Sequence, residues 1–374
     1  MWLLHSATSQ LKNFISDEDI PGYAILSHTW GDGEVSFQHW QAAYSSDSLF
    51  GAFTEDWRQR NLYNLHSMRG YDKVAKCQKK ALKRGIEWVW VDTCFIDKQS
   101  SSELSEAINS MYRWYKQALV CYAYLQDVEF FEDIRISRWF ERGWTLQELI
   151  APKRVIFVDQ DWRVLGRKEG LCQELEAITS IDAAVLRGGS IEDASIAKRM
   201  SWAATRETSR KEDMAYSLLG IFGINMPLIY GEGENAFIRL QEEILRRNPN
   251  DHTLFAWGDH VQLDLSDPED SVERIGALTS STGEFPTETR LQGLLASSPN
   301  DFLHSNHMIG SQDSDTFRHP LIKVDPTLLA PSIIGRTIRV GFKDITTVSY
   351  PCRLSYSPII QQRPATLNAT YTAC

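Results

Sequence analysis

The sequence has 374 residues, enough for one large domain or two with an ample core. Hydrophobic residues make up 43 % and charged residues 24 %, an ordinary balance for a globular chain. A formal net charge of −10 argues against a general nucleic-acid binder, which needs a basic face for phosphates, and against docking on anionic membranes.

The six cysteines, at positions 77, 94, 121, 172, 352 and 374, form no C-x-x-C pair. Neither a disulfide framework nor a metal site is indicated, and a reducing compartment fits better. The start, MWLLHSATSQLKNF, lacks a cationic segment followed by a long apolar one. The longest apolar run, AYSLLGIFGINMPLIY (215–230), is too short to span a bilayer and contains Asn225 and Pro227. The expectation is a soluble, cytoplasmic protein with no membrane span.

In chain order, YAILSHTW (23–30) predicts a buried strand running into the turn Gly31-Asp32-Gly33. Residues 71–84 set Val74, Cys77 and Ala81 at helical spacing, with Gly85 as C-cap. WVWVDTCFI (88–96) is apolar without alternation, the pattern of a strand covered on both faces. A Ser-rich turn at 100–102 leads into a helix with Leu104, Ile108, Met111, Tyr115 and Leu119 along one stripe. LVCYAYL (119–125) reads as a third strand, WFERGWTLQELI (139–150) as one amphipathic helix, and RVIFVD (154–159) as a fourth strand. Strands alternating with helices of this length predict βαβ units, hence an α/β fold with a mostly parallel sheet flanked by helices.

After about residue 170 the pattern becomes helical, with candidates at 196–204, 210–222 and 235–247. Beyond about residue 258 the composition shifts towards Ser, Asp, Pro and Thr. TIRVGF (337–342) is the clear strand there, and the tail PATLNATYTAC reads as loosely ordered or as a fragment of something longer. The domain expectation is an α/β core over 1–170, a helical extension over 171–258 and a partly irregular, partly β accessory region over 259–374.

Doubly wound sheets bind ligands in the crevice beyond the carboxyl ends of their parallel strands. This ordering brings three groups there: Ser27-His28 with Trp30-Gly31-Asp32, Asp92 with Asp97, and Glu148. A Ser-His hydrolase is disfavoured, because adjacent strand residues point to opposite faces and His28 cannot easily serve Ser27 as base. Asp92 inside an apolar run is costly unless it accepts hydrogen bonds, so it organises a loop or serves as a ligand group. Asp97 with Lys98 reads as a solvated turn. YGEGENA (230–236) formally matches G-x-G-x-x-A, yet Pro227 interrupts the run before it, and a turn with a helix N-cap fits better than a dinucleotide fingerprint.

On the 139–150 helix, Trp139, Gly143, Leu146 and Ile150 share the sheet-facing stripe. Glu141, Trp144, Thr145 and Glu148 share another, which puts Glu148 outside the core at a half-buried edge beside Trp144. Two readings stand for Glu148: a plain surface charge, or a crevice acid or base with a raised pKa.

Several stretches together resemble a known family: YAILSHTWGDGEVSFQHW, the segment from WVWVDTCFID to VCYAYLQDV, SRWFERGWTLQELIAPKRVIFVD, and RMSWAATRETSRKEDMAYSLLGIFGINMPLIYGEGENAFIRLQEEI. They resemble the heterokaryon incompatibility (HET) domain proteins of filamentous fungi, over about residues 1–258. Residues 290–345 look like the region that follows this domain in many such proteins. The resemblance implies allorecognition, with growth arrest and cell death when unlike hyphae fuse, through self-association and an incompatibility partner protein.

HET domains are in turn distantly similar to TIR domains, which have a flavodoxin-like parallel sheet. RGWTLQEL resembles the S-x-W-C-x-x-E-L motif of TIR enzymes that cleave NAD, with Thr145 in the cysteine's place. That likeness implies NAD as substrate and Glu148 as the catalytic carboxylate, orienting the ribose hydroxyls or stabilising an oxocarbenium-like charge. Trp144 would wall the pocket, Ser27, His28, Trp30 and Gly31 would line the cleft, and Asp92 would position a loop. The alternative is a non-catalytic, self-associating scaffold or an inactive relative.

Overall fold

Seven strands form one mixed sheet: β1 (Trp2–His5), β2 (Leu11–Asn13), β3 (Tyr23–His28), β4 (Trp88–Val91), β5 (Val120–Tyr124), β6 (Val155–Val158) and β7 (Val164–Arg167). Their order is β2-β1-β4-β3-β5-β6-β7. The four central strands, β4-β3-β5-β6, are mutually parallel, and β1, β2 and β7 add antiparallel edges. Numbered among themselves, the parallel strands run 2-1-3-4, the order of a flavodoxin-like doubly wound sheet. The computed structural model describes residues 1–44, 55–258, 295–308, 337–342 and 367–372. The chain divides into two compact units, one of Met1–Asp193 with Thr205–Leu240, the other of Ala194–Ala204 with Gln241–Cys374.

The first unit carries α1 (Phe37–Tyr44), α2 (Glu55–Ser67), α3 (Arg69–Leu82), the single turn α4 (Asp92–Phe95), α5 (Ser101–Gln117) and α6 (Thr145–Ile150). The Ser100 hydroxyl caps α5 by accepting the Glu103 N–H at 3.3 Å. Ala107, Ile108, Met111, Trp114 and Tyr115 form the buried face of α5. Leu119, placed on that stripe by spacing, is instead half exposed beyond the helix end.

Strand parity sorts the two helical layers. The Tyr23 hydroxyl donates to the Trp114 carbonyl of α5, and the Tyr122 hydroxyl donates to the Lys80 carbonyl of α3 at 3.2 Å. Residues 23, 25 and 27 therefore face α5 and α6, while residues 24, 26 and 28 face α3. Ser27 and His28 accordingly serve different layers.

Three elements depart from the sequence expectation. The apolar run 88–96 is a strand only to Val91, because Asp92 Oδ1 accepts the Thr93 N–H at 2.8 Å and turns the chain into α4. The stretch 139–150 is not one helix. It is a 3-10 turn over Arg138–Glu141, an extended residue at Arg142 (φ −81°, ψ 135°) and then α6. A neighbouring segment causes the break: the Glu207 N–H donates to the Glu141 carbonyl at 2.6 Å, and the Gly143 N–H donates to the Glu207 carbonyl at 2.8 Å. Gly143 permits that approach, since a Cβ there would lie 2.6 Å from Thr208 Cγ2. Likewise 210–222 divides into two short helices, Lys211–Tyr216 and Leu219–Phe222.

The sequence reading also missed β1, β2 and β7, which are short. In the second unit, TIRVGF forms β8 (Thr337–Phe342). It pairs antiparallel with β9 (Leu367–Thr372), inside the tail read as loosely ordered. The ladder opposes Thr337 to Thr372 and Phe342 to Leu367. The expected irregular stretch 259–294, and 309–336 and 343–366, lie outside the described residues. Cys77, Cys94, Cys121 and Cys172 are free thiols, all buried. No helix among the described residues is long and apolar enough to cross a membrane.

Candidate functional site

In the 2-1-3-4 order, the chain reverses direction across the sheet between β3 and β5, and the crevice at their carboxyl ends is the general ligand position of such sheets. Ser27 and His28 end β3 at that point. The Ser27 hydroxyl donates to Glu148 Oε2 of α6 and accepts the Trp139 indole N–H at 2.8 Å. The Tyr115 hydroxyl donates to the Leu26 carbonyl at 3.2 Å and lies against the same carboxyl.

Glu148 is 4 % exposed, which corrects the reading of a half-buried edge. The break at Arg142 rotates α6 relative to Trp139, so the single-helix face assignment fails and all six residues of α6 are buried. Burial pushes the Glu148 carboxyl up to about pKa 8, and the negative charge of Asp92 adds to that. Hydrogen bonds from Ser27 and Tyr115 and the positive Arg142 work the other way. At neutral pH the resting carboxyl is mostly protonated.

α6 is held from both ends. The Thr145 hydroxyl donates to the Arg142 carbonyl at 2.9 Å, and Arg206 Nη1 donates to that carbonyl at 2.9 Å and to Thr145 Oγ1 at 3.0 Å. Burial brings the Arg206 guanidinium down to about pKa 10, against the attraction of Glu148. At the other end the buried Lys168 ammonium donates to the carbonyls of Leu149 (3.1 Å), Ile150 (3.4 Å) and Pro152, a cation on the carbonyl end of the helix.

A second network occupies the α3 side. His28 Nδ1 accepts from Lys73 Nζ at 2.9 Å, which leaves the ring proton on Nε2 to be donated to Asp92 Oδ1 at 3.0 Å. Lys73 also pairs with Glu34, whose carboxylate accepts the Gly31 N–H at 2.8 Å. Asp92 Oδ2 accepts the Trp30 indole N–H at 2.7 Å. Burial works to raise the Asp92 carboxyl, but His28, Lys98 and the Trp30 donor outweigh it and hold it below the usual carboxylate range. Gly70 admits this loop to the first turn of α3: a Cβ there would lie 2.8 Å from Glu34 Cα.

The structure thus joins Ser27 to Glu148, and His28 and Trp30 to Asp92. It does not join His28 to Ser27. Trp144 is half-buried, and its side chain hydrogen-bonds Asp213. Lys73, Glu34, Tyr115, Trp139, Arg142, Lys168 and Arg206 take part in these networks and were not among the site residues expected from the sequence. Trp139 was visible only as a core aromatic, and nothing in the local pattern of RMSWAATRET points to Arg206. The glycine loop YGEGENA is closed by its own chain, since Gly231 N–H (2.7 Å) and Gly233 N–H (3.1 Å) both donate to Glu212 Oε1. Asp97 accepts the Gln38 side-chain amide at 2.7 Å. Among the described residues no group of three or more His, Cys, Asp or Glu side chains is arranged to hold a metal ion.

Residues 23–129 match the family described as heterokaryon incompatibility protein (HET). The chain carries a HET domain. That match takes in Ser27, His28, Trp30, Gly31 and Asp92, and stops short of Trp144 and Glu148. Residues 235–328 match a domain of unknown function (DUF8212). The chain is 40 % identical over 274 residues to the vegetative incompatibility protein HET-E-1 of Podospora anserina. The alignment covers 69 % of this chain and 18 % of that protein, so the HET chain described here spans about a fifth of the relative's length. No solved structure is significantly similar.

Proposed function

We propose that this chain is a heterokaryon incompatibility effector that triggers cell death in the cytoplasm after non-self recognition, through self-association and an incompatibility partner. Its HET domain cleaves the nicotinamide glycosidic bond of NAD in a TIR-like manner, with Glu148 as the reacting carboxylate. The observation that supports this reading best is the buried Glu148 carboxyl, hydrogen-bonded to Ser27 at the switch point of the parallel sheet.

The chemistry needs a carboxylate in a dry site beside C1′ of the ribose. As the C1′–N bond breaks, its electron pair goes to the pyridine nitrogen and neutralises the pyridinium, while positive charge develops at C1′. Water adds at C1′ and loses a proton, giving ADP-ribose, nicotinamide and H⁺. Ionised Glu148 stabilises the developing charge, and the low local dielectric strengthens that interaction. The cationic nicotinamide ring favours the ionised carboxylate on binding, and the ribose hydroxyls replace the Ser27 donor of the resting state. His28, Asp92, Trp30 and Gly31 shape the wall on the α3 side, and Trp144 closes the far side.

The burial of Glu148 also favours a second reading, in which Trp139, Ser27 and Glu148 form a clasp between β3 and α6 of a non-catalytic signalling module. A hyphal killing assay separates the two. Under the catalytic reading, Glu148→Gln abolishes killing while the protein stays folded. Full killing by that variant makes the glutamate structural.

A further inference from the structure

Trp30 is 43 % exposed, yet its indole N–H is tied to Asp92 at 2.7 Å and its backbone runs into the Gly31–Glu34 turn. It is therefore an aromatic plate held in one place beside the crevice, not a loose surface side chain. Two cations lie on it. Lys98 Nζ is 3.4 Å from the ring centroid and Arg142 Cζ is 5.9 Å away. Among the described residues neither Lys98 nor Arg142 forms an ion pair with a carboxylate. The Asp92 and Glu34 carboxylates act on Lys98 from a distance, and both are already engaged, Asp92 by His28 and the Trp30 indole and Glu34 by Lys73 and the Gly31 N–H.

The elements that deliver these residues are independent of one another. Trp30 follows β3, Lys98 follows α4, and Arg142 is the extended residue that interrupts the 3-10 turn and α6. Three separate segments, each following a different parallel strand, meet at the Trp30 ring. An arriving anion relieves the mutual repulsion of the two cations, and the exposed indole offers a stacking surface to an aromatic ring attached to that anion.

We infer that Trp30, Lys98 and Arg142 form a binding site for a nucleoside diphosphate moiety, with the two cations on the phosphates and the indole against the base or ribose. Two cationic heads within reach of one ring suit a two-phosphate anion better than a single phosphate. This inference rests on the proposed reading of the crevice as an NAD site and names the part of the dinucleotide that the α3-side wall would hold. Lys98 and Arg142 are positioned for the pyrophosphate, and Glu148 for the nicotinamide ribose.

Calorimetric titration of the full chain with ADP, adenosine and inorganic pyrophosphate tests it. ADP is expected to bind more tightly than either of its parts, and its affinity to fall as salt is raised. Lys98→Gln and Arg142→Gln should each weaken ADP by about tenfold or more, since a charge-assisted hydrogen bond contributes about 1.5–3 kcal/mol. Both should leave adenosine nearly unchanged, with melting temperatures near the parent value. Trp30→Ala should lose most ADP affinity, and Trp30→Phe, which keeps a ring but drops the tie to Asp92, should fall between Trp30→Ala and the parent. ADP binding no tighter than pyrophosphate, or indifferent to both glutamine variants, overturns the inference.

The outcome separates from that for catalysis. ADP binding sensitive to Lys98 and Arg142, without nicotinamide release by the parent protein, removes the catalytic reading and keeps the site. Nicotinamide release with an unchanged KM in both glutamine variants keeps the catalysis and removes the site.

Discussion

The Ser27 hydroxyl donates to the Glu148 carboxyl across 121 residues of chain, linking the end of the first parallel strand to the helix after the third. The Trp139 indole N–H completes the row by donating to the same serine oxygen at 2.8 Å. Ser27 is thus both donor and acceptor, and each polar atom in this buried row has a partner. Removing one member leaves the others short of a partner in a buried row.

Glu148 makes stability depend on pH in an unusual direction for a carboxylic acid. Its folded pKa of about 8 lies above its ordinary value of 4.5. Between those values the folded state holds a proton that the unfolded state has released. The contribution is full below about pH 4.5, is lost as pH rises, and is gone above about pH 8, at about 1.4 kcal/mol per pH unit within the window. Urea unfolding from pH 5 to 9 should show Glu148→Gln gaining on the parent protein as pH rises, then running parallel. Parallel curves throughout would mean that the carboxyl has an ordinary pKa.

Ser27 and Asp92 act on Glu148 with opposite signs. The Ser27 hydrogen bond lowers the glutamate pKa and the Asp92 charge raises it. Ser27→Ala should move the Glu148 titration upward and Asp92→Asn should move it downward, read by carbon-13 NMR of labelled glutamate carboxyls. Any activity that needs ionised Glu148 should follow, with its alkaline rise shifted the same way in each variant.

Gly70→Ala and Gly143→Ala should both destabilise, and unequally. At Gly70 the new Cβ meets backbone, 2.8 Å from Glu34 Cα and 2.9 Å from Val35 N, while at Gly143 it meets a methyl group 2.6 Å away. Backbone gives way less readily, so about 2–3 kcal/mol is expected at Gly70 and about 1–2 kcal/mol at Gly143. Denaturant midpoints measure both.

Lys168→Met keeps the packing volume and removes the donor to three carbonyls at the end of α6. A loss of about 2–4 kcal/mol is expected from the unsatisfied carbonyls. The Glu148 titration, measured as above, should broaden or shift if α6 loses its fixed end.

The parallel centre of the sheet was legible because β3, β4, β5 and β6 are apolar on both faces and alternate with helices whose stripes keep a 3.6-residue period. The edge strands were not. β1, β2 and β7 have three or four residues each, too few to establish a period. Parity alone placed Ser27 and His28 on different faces, and the structure keeps them apart. The environment of Glu148 could not be read locally, because its burial depends on the helix break at Arg142, and that break depends on Glu207, 65 residues further along. Lys73 and Arg206 were hidden for the same reason: each sits in a charged or mixed stretch whose partners are set by the fold rather than by spacing.

The central claim, that Glu148 is the reacting carboxylate, is tested most directly by nicotinamide release from NAD by the parent chain and by Glu148→Gln at pH 7 and pH 9. The account predicts release by the parent chain, faster at the higher pH, and none by the variant at either. Equal release by both proteins, or none by the parent chain even when forced to oligomerise, would contradict it.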